Sequence, residues 1–179
     1  MGGNESLEEK GIFLKPSLFV VLHHTMPTPS PRATHWDLLL EHPLPNNNSL
    51  LSFELLVPPE KWSNPTAATR LPDHRPTYLT YEGPISNNRG HVKRILQGSF
   101  EWVNANECSL TLRLKWAKWE EYEGEKLAGR HSGNKESFFA LPFSGTLELH
   151  RNQNLPDFSP GSWQLILSDH EASFFPPRR

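Results

Sequence analysis

Two histidines and an aspartate in the first quarter of the chain have the residue types and the spacing of a metal site. His35 and Asp37 are separated by one residue, and His24 ends an apolar run upstream. Residues i and i+2 of a β-strand point to the same face, so His35 and Asp37 can act together. If a strand ending at His24 pairs with theirs, the three side chains converge and leave coordination positions open, as in catalytic metal sites. The alternative is a half-buried histidine bonded to the neighbouring aspartate.

The segments that carry these residues have the composition of β-strands. Residues 18–24 and 34–41 are rich in apolar, β-branched and aromatic residues, and the stretch between them holds three prolines, which predicts a loop. A third strand is predicted over residues 49–57, before two consecutive prolines. Residues 60–77 are polar and predicted to be irregular, and residues 78–81 are predicted to begin another strand.

The second half of the chain also favours strands. Residues 91–96 and 98–103 predict two strands around a short turn, and residues 110–116 alternate apolar and polar positions. Closing strands are predicted over residues 138–143, 145–151 and 162–168. Many short strands and little helix predict an all-β fold, a compact single-domain β-barrel with long loops. The domain is expected to span residues 12–169, between a disordered lead-in at 1–11 and a loose tail at 170–179.

Composition limits the classes of function. The 179 residues carry a formal net charge of −2, so any nucleic-acid contact must come from a local cluster of cations. The single cysteine, Cys108, excludes an internal disulfide and a cysteine-rich zinc site. The N-terminus lacks the basic start and apolar stretch of a secretion signal, and no segment is apolar enough for a membrane span. A cytoplasmic monomer that does not contact membranes is expected.

Three segments together resemble a known family of nucleic-acid enzymes. They are Phe-Val-Val-Leu-His-His at 19–24, His-Trp-Asp-Leu-Leu-Leu-Glu at 35–41, and Pro-Asp-His-Arg-Pro-Thr-Tyr-Leu-Thr-Tyr-Glu-Gly at 72–83. In this order and spacing they resemble the 3′-phosphoesterase domain of bacterial DNA ligase D. Residues 144–151 and 163–167 resemble the end of that domain, so the resemblance spans roughly residues 17 to 168.

The resemblance implies a fold, a cofactor and an activity. It implies a β-barrel that binds manganese, or another divalent metal, through His24, His35 and Asp37. The family trims 3′ ends, removing a terminal ribonucleotide and then the 3′-phosphate. Carried over by position, His74 would contact the scissile phosphate with support from Tyr78. Arg70 would match a family arginine that holds the phosphate, although its distance to His74 along the chain is shorter here.

Departures from the family pattern concern the cations that would bind phosphate. The family arginine two residues after the motif aspartate is Leu39 here, and the lysine of the family Val-Pro-Lys is Pro59, with Lys61 as a displaced substitute. The two metal histidines are also further apart than in the family, because the proline-rich loop separates them. A longer loop closes the same geometry at little cost in entropy. The pattern therefore predicts an intact metal site with fewer phosphate contacts.

One local group of basic residues is a candidate for substrate phosphate. Arg89 lies in an Asn-rich turn, and His91 and Lys93 follow it on one face of a predicted strand. Backbone amides of such turns and clustered cations both bind phosphate. The alternative is a solvated strand face.

Two hypotheses of different classes follow. The first is an enzyme, a metal-dependent phosphoesterase that trims 3′-phosphate or 3′-ribonucleotide ends of DNA or RNA in repair and end joining. The second is a catalytically weakened metal-containing module that binds nucleic-acid ends or a repair partner. The chain contains no recognisable ligase lysine motif and is too short for a polymerase module, so separate proteins would supply those activities. A metal enzyme acting on small phosphate esters is a third option.

Overall fold

Nine β-strands, paired in antiparallel fashion, form the framework of the computed structural model, which describes residues 16–62, 65–119 and 145–169. The predicted lead-in at 1–11, the predicted tail at 170–179 and the predicted strand at 138–143 lie outside these residues. The strands are β1 (Ser17–Thr25), β2 (His35–Glu41), β3 (Leu50–Leu55), β4 (Thr66–His74), β5 (Gly83–Pro84), β6 (His91–Ala105), β7 (Ser109–Trp119), β8 (Gly145–Arg151) and β9 (Trp163–Asp169).

The strands form one sheet that closes on itself. Their order is β1-β2-β3-β4-β9-β8-β7-β6-β5, and β1 also pairs with β6. This last pairing runs from Ser17↔Phe100 to Thr25↔His91 and joins the first strand to the other side of the sheet. The predicted all-β fold is confirmed. The helical segments in the described residues are two 3-10 turns, Pro59–Lys61 and Pro76–Leu79.

Alternate residues of the first three strands face two different apolar clusters. The large core lies on one face of the sheet and includes Phe19, Val21, Leu38, Leu40 and Phe53. A second, small cluster lies on the opposite face and comprises Val20, Leu22, Leu39, Leu50 and Val92. The segment from the second 3-10 turn to just beyond β5 covers this cluster, with Tyr78, Leu79 and Ile85 packed against it. Each fully buried Leu or Phe side chain stabilises the fold by roughly 2 kcal/mol, so both faces contribute.

The prediction of an irregular segment at 60–77 is wrong over half of its length, because Thr66–His74 forms β4 between β3 and β9. The strand carries small and polar side chains, so its apolar signal is weak. Pro72, which lacks an N–H donor, is tolerated because it lies where the pairing with β3 shifts register between Leu50 and Ser52.

Two further predictions of local structure are wrong. Residues 91–96 and 98–103 belong to one continuous strand, because Gly98 pairs with Phe19 and Ala117 and makes no turn. Residues 78–81 do not begin a strand, since Tyr78 and Leu79 belong to the 3-10 turn Pro76–Leu79 and Thr80 is its C-cap. No helix within the described ranges combines the length and apolar character that a membrane crossing requires.

Candidate metal centre

His24, His35 and Asp37 converge on the face of the sheet that carries the small cluster. His24 lies opposite His35 in the β1–β2 register, and Asp37 follows two residues along β2 on the same face. Their candidate ligand atoms all lie within 4.8 Å of one another. The side chains are buried, with residue exposures of 8 % for His24, 1 % for His35 and 3 % for Asp37.

His35 is held by a backbone carbonyl so that one ring nitrogen faces the aspartate. Its Nδ1–H donates to the carbonyl oxygen of Ala33 at 2.8 Å, which leaves the lone pair on Nε2. Nε2 lies 3.5 Å from Oδ1 of Asp37. In metal-binding histidines, one ring nitrogen binds the metal and the other donates its N–H to an acceptor such as a backbone carbonyl, which orients the ring and fixes its tautomer.

His24 is oriented in the same way from the other side. Its Nε2–H donates to the carbonyl oxygen of Arg89 at 2.7 Å, and its Nδ1 lies 3.3 Å from Oδ2 of Asp37. Burial lowers the pKa of His24, but the hydrogen bonds to Asp37 and to the Arg89 carbonyl outweigh burial and raise it overall. A positive charge at Nδ1 is therefore favoured, and either a proton or a metal ion supplies it.

The turn before β6 delivers the Arg89 carbonyl to His24. Asn87 and Asn88 adopt positive φ values of 63° and 51°, and Gly90 has a φ of 91°. A Cβ at Gly90 would overlap the carbonyl oxygen of Thr25, so only glycine lets the turn lie this close to the end of β1. The turn is closed by a 2.8 Å hydrogen bond from the Ile85 amide to the Gly90 carbonyl.

The donor set fits a divalent cation better than it fits a plain histidine–aspartate pair. A histidine–aspartate pair gives Oδ2 of Asp37 a hydrogen-bond partner in His24, but Oδ1 is buried without a hydrogen-bond donor. An unsatisfied buried carboxylate oxygen costs free energy. Two imidazole nitrogens and one carboxylate, each facing the others, are ligands that Mn²⁺, Fe²⁺ and Zn²⁺ accept. His24, His35 and Asp37 could therefore hold such an ion.

Two charged residues that sequence reasoning missed complete the surroundings. Glu54 lies opposite Asp37 in the β2–β3 register, and its Oε2 is 3.7 Å from Nε2 of His35. Arg32, from the proline-rich loop, forms an ion pair with Glu54, and its Nη2 lies 3.3 Å from the same His35 nitrogen. The signal for Glu54 was a single charged residue in a mostly apolar strand, but only the strand register links it to Asp37.

His74 and Tyr78 lie together on the face of the small cluster. His74 is opposite Leu50 in the β3–β4 register, and its ring contacts that of Tyr78 edge-on, with ring centroids 5.4 Å apart. Nδ1 of His74 is 3.0 Å from the Pro72 carbonyl oxygen, so Nε2 is the nitrogen that remains for a ligand. Both residues thus share a sheet face with the metal trio.

Arg70 lies elsewhere. Its guanidinium stacks over Phe53 of the large core, 5.3 Å from the ring centroid, and pairs with Asp73. A further hydrogen bond to the Ser52 carbonyl measures 3.1 Å. The structure therefore does not bring Arg70 together with Asp37, whose side chain is on the opposite face.

The basic residues of the predicted phosphate patch are also divided. His91 and Lys93 lie opposite Thr25 and His23 in the β1–β6 register and share their face, which is not that of His24. The Arg89 side chain donates to the Ser86 carbonyl at 3.0 Å, and only the Arg89 backbone reaches the trio. Leu39 does lie on the metal face, where it is fully buried in the small cluster.

The comparisons with known proteins add no relative. No protein-family model matches the chain, and no curated protein matches it. A proposal of function therefore rests on the arrangement of side chains together with the sequence resemblance.

Proposed function

We propose that this protein is a metal-dependent 3′-phosphoesterase. Its cofactor is manganese or another divalent ion, and its substrates are nucleic-acid ends that carry a 3′-phosphate or a 3′-terminal ribonucleotide. The observation that carries the proposal is the buried trio of His24, His35 and Asp37, in which each imidazole is oriented by a backbone carbonyl. The sequence resemblance supplies the substrate class.

The residues of the chain have distinct roles in this reaction. When bound, the ion supplies positive charge that stabilises the phosphate oxygens and lowers the pKa of a nearby water. His24, His35 and Asp37 hold it. His74 donates a proton from Nε2 to a phosphate or leaving oxygen, and Tyr78 keeps the His74 ring in position through its edge-on contact. At a 3′-phosphate end, water adds to phosphorus and loses a proton to solvent, while the bond from phosphorus to the 3′ oxygen breaks and that oxygen takes the proton from His74. At a 3′-terminal ribonucleotide, the bond that breaks is the one from phosphorus to the 5′ oxygen of the departing nucleoside.

The same proposal includes the compartment, the oligomeric state and the process in which the protein acts. The protein acts as a cytoplasmic monomer on DNA or RNA 3′ ends, in repair and end joining. Because the net charge is −2, substrate contacts come from local groups and not from a basic field over the whole protein.

The test is turnover of defined primers. Primers ending in a 3′-phosphate or a single 3′-ribonucleotide are incubated with the protein and Mn²⁺, and products are separated on a sequencing gel. His35→Ala is expected to lower turnover by about 100-fold or more, because it removes a proposed metal ligand. The matched control is His150→Ala, which removes a surface histidine paired with Glu148 at 2.7 Å. No turnover by the unaltered protein, or equal turnover by His35→Ala, would reject the enzyme.

A second candidate function is favoured by the positions of the cations. Arg70 pairs with Asp73 over the large core, and His91 and Lys93 occupy the face opposite His24. A module that binds nucleic-acid ends through its metal, without cleaving them, needs fewer of these cations on the metal face. Manganese-dependent binding of the same primers without product would favour this module, and absence of binding would exclude it.

A further inference from the structure

A half-exposed arginine stands at the edge of the metal trio. The Nη2 atom of Arg32 lies 3.3 Å from Nε2 of His35 and forms an ion pair with Oε2 of Glu54. Glu54 is the neighbour of Asp37 on the next strand, so its carboxylate and the trio share one face. The guanidinium is therefore tied directly to the candidate metal centre.

Arg32 is anchored through one guanidinium nitrogen and is open at the other two. Both of its side-chain hydrogen bonds to described residues use Nη2, so Nε and Nη1 have no protein acceptor among them. The Arg32 side chain is 49 % exposed, whereas that of its anchor Glu54 is 18 % exposed. A guanidinium in this state presents its remaining N–H donors to solvent beside the trio.

The charges of this group favour an anion. A divalent ion and Arg32 would together carry three positive charges, and the carboxylates of Asp37 and Glu54 carry two negative charges. The group would therefore have a net charge of about +1. The planar fork of a guanidinium matches the oxygens of a phosphate group, and charge-assisted hydrogen bonds of this kind are the strong ones. Nε–H and Nη1–H point to opposite sides of the guanidinium, so a phosphate group beside the trio could accept a hydrogen bond from one of them at a time.

We infer that Arg32 is the anion-binding residue of the metal centre, and that Glu54 is the positioning residue that holds it there. The ligand class is a tetrahedral oxyanion such as a phosphate group. The inference rests on the metal trio of the proposed function, but it does not depend on turnover. It assigns a phosphate contact to a loop residue outside the segments that carry the family resemblance.

The shared lone pair on His35 gives the inference a second consequence. Nε2 of His35 accepts from Arg32 in this structure, and a metal ion would take the same lone pair. Arg32 would then keep Glu54 as its partner, and the Nη2–H released from His35 could join Nε or Nη1 in a two-bond contact with the anion. Removing Arg32 should therefore leave Mn²⁺ affinity unchanged or raise it, while it weakens phosphate binding.

The experiment is a titration of inorganic phosphate by calorimetry, with and without saturating Mn²⁺. Arg32→Ala is expected to weaken phosphate binding about tenfold or more, since charge-assisted hydrogen bonds are lost. Arg32→Lys keeps the positive charge but not the planar guanidinium, so its phosphate affinity should lie between those of Arg32→Ala and the unaltered protein. Glu54→Gln should weaken phosphate binding without weakening Mn²⁺ binding. The matched control is Arg113→Ala, another surface arginine near a carboxylate, that of Glu101.

The outcomes separate this inference from the proposed function. Phosphate binding that depends on Arg32 and not on Arg113 supports the inference, whether or not any primer is cleaved. Equal phosphate affinity of Arg32→Ala and the unaltered protein, or no phosphate binding by the unaltered protein, overturns it. A protein that binds no Mn²⁺ rejects both the proposed metal enzyme and this inference, because Arg32 alone does not balance the carboxylates of Asp37 and Glu54. Mn²⁺ binding with no phosphate binding that depends on Arg32 rejects the inference alone. Thermal melts of each variant confirm that the fold is retained.

Discussion

At the scale of single residues, the candidate site is defined by which atoms lack partners. Asp37 gives one carboxylate oxygen to His24, but the other is buried with no donor, while Nε2 of His35 lies 3.5 Å from it. The two atoms, Oδ1 of Asp37 and Nε2 of His35, are both hydrogen-bond acceptors, and a cation bound between them would relieve their repulsion. The same geometry explains why His24 favours a positive charge at Nδ1, with its pKa raised despite burial.

Replacing the aspartate by its amide tests this reading without changing the size of the side chain. Asp37→Asn removes the only carboxylate of the trio, so we expect Mn²⁺ affinity to fall by about tenfold or more. The measurement is a calorimetric titration with Mn²⁺. Asp157→Asn is the control, because Asp157 is a carboxylate bonded to Trp163 outside the trio. Equal loss of affinity in the two variants would mean that Asp37 has no special role.

The sequence predicted the trio because all three members lie on two adjacent strands with local spacing. Arg32 and Glu54 were missed for a physical reason: they are 22 positions apart along the chain, and their contact depends on strand register. The same limit applies to Lys93, whose face is set by the register of β1 with β6. Proximity to the trio in three dimensions is a property of the sheet and not of any short motif.

At the scale of elements, the tight turn before β6 is as important to the site as the strands. Gly90 allows the turn to lie against the backbone of Thr25, and this places the Arg89 carbonyl on His24. The small cluster beneath the turn fixes the strands beside it. The orientation of His24 therefore depends on a residue that has no side chain.

Substitution of Gly90 should affect both stability and metal binding. Gly90→Ala forces a side chain into the Thr25 carbonyl at a positive φ, so we expect the free energy of unfolding to fall by about 3 kcal/mol. Urea denaturation measures this, and Mn²⁺ titration should show weaker binding because the Arg89 carbonyl moves away from His24.

The matched control is Gly161→Ala, at a φ of 70° with nothing within 4 Å of the added carbon. It should cost only about 1 kcal/mol, from backbone strain alone, and should leave Mn²⁺ affinity unchanged. Similar losses of stability in the two variants would contradict the account of Gly90.

Most strands were predictable from composition because β-branched, aromatic and alternating apolar residues dominate them. β4 was not predictable in this way, since its extended conformation depends on pairing with β3 and β9 more than on its own apolar residues. β6 was divided in two because a glycine within an apolar run reads as a turn, whereas Gly98 is paired on both sides. Tertiary pairing overrode local propensity in both cases.

At the scale of the whole molecule, closure of the sheet links the site to overall stability. The β1–β6 pairing joins the first strand to the longest one, and Phe100 on β6 packs against Phe19 and Trp102 with ring centroids 6.3 Å and 5.0 Å apart. β1 carries His24 at its other end. Loss of closure would therefore be expected to disturb the trio.

Stability should also depend on pH through one ion pair. Burial raises the pKa of Asp73, but hydrogen bonds from Arg70 and Ser49 lower it below its usual value of 3.8 overall. A depressed pKa means that Asp73 stabilises the folded state above pH 3.8, and that this contribution is lost as the pH falls through the folded value. The site is partly exposed, so the effect is about 1 kcal/mol or less.

Urea unfolding at pH 7 and at pH 3 measures this contribution. Asp73→Asn should lose less stability than the unaltered protein over this interval, because it lacks the group that is protonated. Glu107→Gln, at an exposed position without an ion pair among the described residues, is the control and should follow the unaltered protein. A larger acid loss in Asp73→Asn would contradict the expected sign.

The most direct test of the central claim is a crystal structure of the protein grown with Mn²⁺, with anomalous data collected at the manganese edge. The account predicts one ion bonded to Nδ1 of His24, Nε2 of His35 and the Asp37 carboxylate at about 2.0–2.2 Å. The carbonyl oxygens of Arg89 and Ala33 should keep their hydrogen bonds to the two rings. An anomalous peak elsewhere, with His24 and Asp37 still hydrogen-bonded to each other at saturating Mn²⁺, would contradict it.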